Sequence, residues 1–157
     1  MSKHDLESRL DAIESELAIQ RLVAEYAHAF DSHDEALLRS IWHDGAVLAL
    51  GEAFGHFEGI DAIVASAHQN WSQMPHMHHW MANPLIDLEG DRATGKVAVD
   101  CLVIHVEMGP TQISGLYHDR LERRNGRWAF VERRFELHYL TPLQHWKPVT
   151  GSEVAGA

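Results

Sequence analysis

Between residues 77 and 140 the chain passes through four long runs rich in β-branched and aromatic side chains, roughly 77–89, 92–107, 112–124 and 127–140. Glu89-Gly90-Asp91 and Asn125-Gly126 are hairpin-sized gaps, and Asn-Gly between two such runs is a strong turn signal. The loop Met108-Gly109-Pro110-Thr111 joins the middle pair. Connections this short force each strand antiparallel to the one before it, since a parallel return needs a dozen residues or more. The second half of the chain is therefore predicted to be a four-stranded meander, and the first half must cover it.

That first half reads as helix. Over residues 5–31, Leu6, Leu10, Ile13 and Leu17 recur at spacings of 4, 3 and 4, and the stripe then moves to Ile19, Leu22, Val23, Tyr26 and Phe30. The shift predicts a kink or break near Leu17. Ser32 followed by Glu35 has capping-box spacing and predicts a second helix near 33–43, carrying Leu37, Leu38, Ile41 and Trp42. Ala46 to Leu50 reads as a short strand stopped by Gly51, with Phe54 to Phe57 pairing against it. A third helix is predicted over 60–73, with Ile60, Ile63, Val64, Ala67 and Trp71 on one side and Pro75 closing it. The class is α+β: three N-terminal helices packed on a strongly curved antiparallel sheet, a cone that encloses a pocket suited to a small molecule. Residues 1–145 are expected to form this single domain and 146–157 an irregular tail.

Charge narrows the partners. Thirteen Lys and Arg stand against 23 Asp and Glu, a net −10, which argues against nucleic acid or an anionic membrane as partner, because both require concentrated basic residues. The single cysteine, Cys101, rules out an internal disulfide and a cysteine-built zinc site. There is no 18-residue apolar run, and a cytoplasmic location is expected.

Strand alternation then assigns faces. Met77, His79, Met81 and Asn83 share one face; His78, Trp80 and Ala82 share the other. Further on, Val97, Val99, Cys101, Val103 and His105 fall together, as do Ile113, Gly115, Tyr117 and Asp119, and Ala129, Val131, Arg133, Phe135 and Leu137. The expected pocket wall is Phe30, Trp42, Met77, Met81, Val99, Cys101, Val103, His105, Ile113, Tyr117 and Phe135, with His79, Arg133, Tyr26 and Asp31 as further polar groups. Asp31 ends the first helix, where the macrodipole disfavours a bare carboxylate, and a protonated His79 is a fitting partner. The opposite faces carry Asp100, Leu102 and Ile104, then Ser114, Leu116 and His118, then Phe130, Glu132 and Arg134. They are apolar enough to predict a homo-oligomer, dimer or trimer, through the convex side of the sheet. Of the three neighbouring histidines only His76 and His78 share a face, so no metal site is expected, and no cofactor is called for.

With these residues assembled, the chain resembles the SnoaL-like branch of the nuclear transport factor 2-like superfamily over about residues 10–145. The resemblance rests on Ala18-Ile19-Gln20 followed by Tyr26 and Asp31, on Ser40-Ile41-Trp42, and on His79-Trp80-Met81-Ala82-Asn83. It extends to the hairpin from Glu122 to Trp128 and to Tyr139-Leu140-Thr141-Pro142-Leu143. The pattern is similar to the hexachlorocyclohexane dehydrochlorinase group and, more loosely, to scytalone dehydratase and bile-acid dehydratase. The resemblance implies that Asp31 orients His79, that His79 removes a carbon-bound proton, and that Arg133 steadies the leaving group. It also places Tyr26 where the dehydrochlorinases carry a lysine, the bile-acid dehydratase pattern, which suits departure of hydroxyl better than of chloride. The implied activity is cofactor-independent elimination from a small cyclic apolar ligand. A polyketide- or steroid-type cyclase or isomerase using the same base, and a non-catalytic ligand-binding or assembly subunit, are the alternatives.

Overall fold

A computed structural model describes residues 3–146. Helix α1 (Lys3–Asp31) is followed by α2 (Glu35–Ser40), β1 (Trp42–Ala49), β2 (His56–Glu58) and α3 (Ile60–Gln73). Then come β3 (His76–Glu89), β4 (Arg92–His105), β5 (Gly109–Arg124) and β6 (Arg127–Pro142). The strands form one six-stranded sheet in the order β2-β1-β6-β5-β4-β3, curved but not closed, with β3 at one edge and β1 parallel to β6. The helices pack on the concave face, and the core between them runs from Ile19, Leu22, Tyr26 and Phe30 of α1 to Val97, Tyr117 and Phe135 of the sheet. No helix among the described residues is long and apolar enough to cross a membrane. The tail expected at 146–157 lies, apart from Trp146, outside the described residues.

The meander forms as its turns dictate. Asn125 and Gly126 both take positive φ, 52° and 75°, as a two-residue hairpin turn with the sheet's own twist requires. Pro84 sits within β3, and an edge strand can accept its missing N–H.

Several expectations are corrected. Helix α1 runs through Leu17 without a break; the stripe of Leu6, Leu10, Ile13 and Leu17 is more than half exposed at each position, so the change of stripe marks a solvent-facing half rather than a kink. Helix α2 is shorter than 33–43, and its cap is Asp34, whose carboxylate accepts from the Leu37 N–H at 2.9 Å, not Ser32. Ser32 is still inside the turn that ends α1: His33 takes φ 55°, and the Asp34 N–H returns to the Ala29 carbonyl at 2.9 Å, a Schellman closure. His33 serves at this left-handed position, where glycine is usual, and its ring stacks on Trp71 at 5.1 Å. The residues from Trp42 onward leave α2 for β1, so that strand begins four residues before Ala46.

Register shifts correct the faces. Arg120 pairs with Glu132 but Leu121 with Phe130, so Val131 is an extra residue in β6. Phe130 and Arg133 thus both turn inward and are fully buried, whereas alternation put Phe130 on the convex side. A second shift makes His138 the extra residue, and a third, between Ala82 and Leu85, falls where Asn83 takes φ 51°. Asn83 therefore does not continue the face of Met77, His79 and Met81 beyond the bulge.

Candidate active site

Because α1 ends at Asp31 and packs along the edge strand β3, its last side chain faces the row of N–H groups that β4 does not take. The Asp31 carboxylate accepts from the backbone N–H of His79 at 3.0 Å through Oδ2 and lies 2.6 Å from the ring Nδ1 through Oδ1. Both side chains are largely buried. The contact answers three needs together. The carboxylate at the negative end of a helix gains two donors, the edge amide gains an acceptor, and the imidazole is fixed. The end of α1 is itself held: the Trp71 indole N–H donates at 3.0 Å to the Phe30 carbonyl, which also accepts the His33 N–H at 3.4 Å.

A neutral imidazole donating through Nδ1 carries its lone pair on Nε2. Nε2 has no hydrogen-bond partner among the described residues, and the ring lines a cavity of about 60 Å³. Most of the wall is apolar or phenolic: Phe30 and Tyr26 from α1, Met77 from β3, Val99 and Cys101 from β4, Ile113 and Tyr117 from β5, and Phe135 from β6. Leu50, Phe54, Asn70 and Met74 complete it. None of these four follows from strand alternation, since they come from the β1–β2 loop and the end of α3. Tyr26 and Phe30 stand four apart on α1, and their rings meet that of His79 at 6.3 and 6.1 Å.

Other expected wall residues lie elsewhere. Trp42 is buried against Tyr26 and Phe130 and does not line the cavity, because it pairs beside Phe130, five residues along β6 from the Phe135 that does. Met81 packs on the core without reaching the cavity. Val103 and His105 line a neighbouring hollow, because β4 runs past the cavity before it reaches them. His105 also caps its own turn, its Nδ1 accepting from the N–H groups of Glu107 and Met108 at 3.1 and 3.3 Å.

Arg133 does not touch the cavity. It is fully buried, bonded in bidentate fashion to Asp119 at 2.8 and 2.7 Å. Its guanidinium lies 4.2–4.3 Å from the ring centroids of Tyr26, Tyr117 and Phe130. Burial works against the charge, but the Asp119 carboxylate outweighs it and holds the guanidinium above its ordinary range. Asp119 pairs directly across β5–β6 with Arg133; asking which carboxylate faces the arginine across the hairpin would have found it. The cation therefore acts on the cavity through the two tyrosines. Their hydroxyls lie 3.5 Å apart, and burial raises both phenols above the usual tyrosine value, Arg133 pulling the other way. They are held as neutral O–H groups.

The SnoaL-like domain model matches residues 11–134. The gamma-hexachlorocyclohexane dehydrochlorinase of Sphingobium indicum is 31% identical over 146 residues, covering 90% of this chain and 93% of that protein. A solved type 2 hexachlorocyclohexane dehydrochlorinase superposes with a TM-score of 0.86 at 28% identity, covering 91% of this chain and 98% of that one. A protein of Novosphingobium aromaticivorans, at 19% identity and TM-score 0.77 over 87% of this chain and 92% of its own, shares the fold.

Proposed function

Since the chain belongs to the SnoaL-like domain family, whose dehydrochlorinase members it matches over nearly its whole length, we propose that it is a lyase that eliminates water or hydrogen halide from a small cyclic apolar substrate without a cofactor. His79 Nε2 takes a proton from carbon. The electron pair of that C–H bond becomes the new C=C bond, and the leaving group departs from the neighbouring carbon with its own bonding pair. Asp31 keeps the proton on Nδ1 before the step and stabilises the imidazolium after it. The observation that carries the reading is the two-point grip of one carboxylate on His79, with the opposite ring nitrogen unpartnered beside an apolar cavity.

The tyrosine pair favours a hydroxyl as leaving group. Hydroxide is a poor leaving group unless it receives a proton or a strong hydrogen bond as it departs, and Tyr26 and Tyr117 stay protonated donors beside the cavity. Arg133, stacked behind both rings, makes each phenol a better donor. A screen of cyclic alcohols and halides, with gamma-hexachlorocyclohexane included, would be followed by mass spectrometry for loss of water or acid. His79→Gln and Asp31→Asn should each remove turnover, by a factor of about 10² or more, with circular dichroism unchanged. If both variants match the wild-type rate on a substrate so found, the base assignment fails.

A second copy of the chain is the partner proposed for the convex face, where Trp80 and Tyr139 stand half to two-thirds exposed beside Ala82 and Ala98.

A further inference from the structure

A second hollow, of about 240 Å³, adjoins the cavity that holds His79, and the two share Phe54, Asn70, Met74 and Ile113 as a common wall. We infer that this hollow is the outer half of one binding site. The ligand is then an elongated apolar molecule, with a ring against His79 and a far end bearing a carbonyl or hydroxyl oxygen that accepts from His105. The inference rests on the proposed role of His79 for which end reacts, and on the structure alone for the shape of the ligand.

Size is the first argument. The inner cavity, about 60 Å³, is well under half of the roughly 150 Å³ that accommodates benzene in a protein interior. A ring held against His79 therefore extends beyond the inner cavity, and adjoining room lies across the shared wall.

That wall is also the movable one. Met74 is unbranched and can swing without moving backbone. Phe54 sits in a five-residue loop bounded by Gly51 and Gly55, both at positive φ. The loop is closed on itself by the Leu50 N–H to the Gly55 carbonyl and the Gly55 N–H to the Gly51 carbonyl, each 2.8 Å. Among the described residues its one ring contact is a tilted meeting with Phe135 at 6.3 Å.

Polarity is the third. Because His105 Nδ1 accepts two backbone N–H groups, its proton is fixed on Nε2. That N–H has no partner among the described residues, and the residue lines the outer hollow together with Met108 and Leu140. The outer chamber thus offers that unpaired donor, the His105 Nε2–H, in a lining that also includes Ser66, Gln69, Asn70 and Gln73, and the inner one offers the acceptor His79 Nε2 together with the Tyr26 and Tyr117 hydroxyls.

The methionines report both chambers: Met77 lines the inner, Met108 the outer and Met74 both. Protein labelled with ¹³C at the methionine methyls would be titrated with 4-phenylcyclohexanone, cyclohexanone and phenylcyclohexane. The elongated ketone should shift Met77, Met74 and Met108 along one binding curve, about tenfold or more tighter than cyclohexanone. His105→Phe should weaken the ketone about fivefold, the worth of one neutral hydrogen bond, and leave phenylcyclohexane unchanged. Shifts confined to Met77 and Met74, or to Met108, overturn the inference, as does a ketone affinity that ignores His105→Phe. Binding is read here without turnover. Loss of the base assignment would therefore leave these shifts in place, and loss of the shifts would leave the base assignment standing.

Discussion

Removing the Asp119 side chain should destabilise the protein far more than any change at the rim of the cavity. In Asp119→Ala the guanidinium of Arg133, fully buried and, among the described residues, already without a partner on Nη1, loses its two hydrogen bonds to Asp119 and keeps the faces of Tyr26, Tyr117 and Phe130. Stripping one member of a buried ion pair costs about 3–5 kcal/mol, because the charge left behind is neither solvated nor paired. Arginine cannot escape by losing its proton. Against a total stability of about 5–15 kcal/mol, and at about 2–4 °C per kcal/mol for a chain of this length, the melting temperature should fall by about 6–20 °C. Thermal unfolding followed by circular dichroism would measure it. The double variant Asp119→Leu with Arg133→Met removes the stranded charge and should recover most of the loss, since apolar replacement of a buried pair is often neutral. If Asp119→Ala stays within about 1 kcal/mol of wild type, the aromatic sandwich or unseen solvent holds the cation and the reasoning fails.

Three further outcomes follow from the same geometry. Gly115→Ala would drive its methyl into the Glu136 carbonyl and to 2.6 Å from the Phe135 ring. It should cost about 1–3 kcal/mol in urea unfolding, and an unchanged midpoint would contradict that close approach. Tyr26 and Tyr117 have raised values in the fold while the unfolded chain ionises near pH 10. Stability from this source is therefore complete below about pH 10 and falls above it, and tyrosinate absorbance from these two residues should appear only as the protein unfolds, a delay that Tyr26→Phe with Tyr117→Phe removes. Light scattering of the variant Trp80→Glu with Tyr139→Glu should give a smaller particle than wild type; a monomeric wild type at micromolar concentration ends the proposal for the convex face.

What could be read from the chain follows from where local chemistry decides the geometry. Asn125-Gly126 was legible because few dipeptides accept two positive φ angles in succession. The faces of β4 were legible because nothing interrupts its alternation between Val97 and Val103. Meeting of Asp31 and His79 was legible because both lie before any irregularity, one at a helix end and the other the fourth residue of β3, ahead of its bulge. Bulges were not legible. Val131 and His138 look like ordinary strand residues, yet each extra residue reverses the faces beyond it, so Phe130 was assigned outward. The cap was missed for a related reason: Ser32-x-x-Glu35 satisfies the spacing of a capping box, but the left-handed turn at His33 places Asp34, two residues later, at the first free N–H groups of α2. Loop residues such as Phe54 and Met74 reach the cavity through tertiary packing, which no periodicity records.

Whether Asp31 matters for its position or for its charge can be separated at one atom. A purely structural partner for His79 needs only an oxygen for the backbone N–H and some group for the ring. Asparagine at position 31 supplies both: its carbonyl oxygen accepts from the His79 N–H, and its amide, facing Nδ1, becomes a donor. The ring then accepts at Nδ1 and carries its proton on Nε2, the nitrogen that faces the cavity, so the fold keeps two hydrogen bonds while the base is turned into a donor. Asp31→Asn should therefore shift urea stability by about 1 kcal/mol or less, whereas Asp31→Ala, which leaves the edge N–H and the ring unpaired, should cost about 1–3 kcal/mol. Binding of an apolar ligand should survive in the asparagine variant and turnover should not. A variant that loses stability without losing turnover would make Asp31 a clasp for the end of α1 and nothing more.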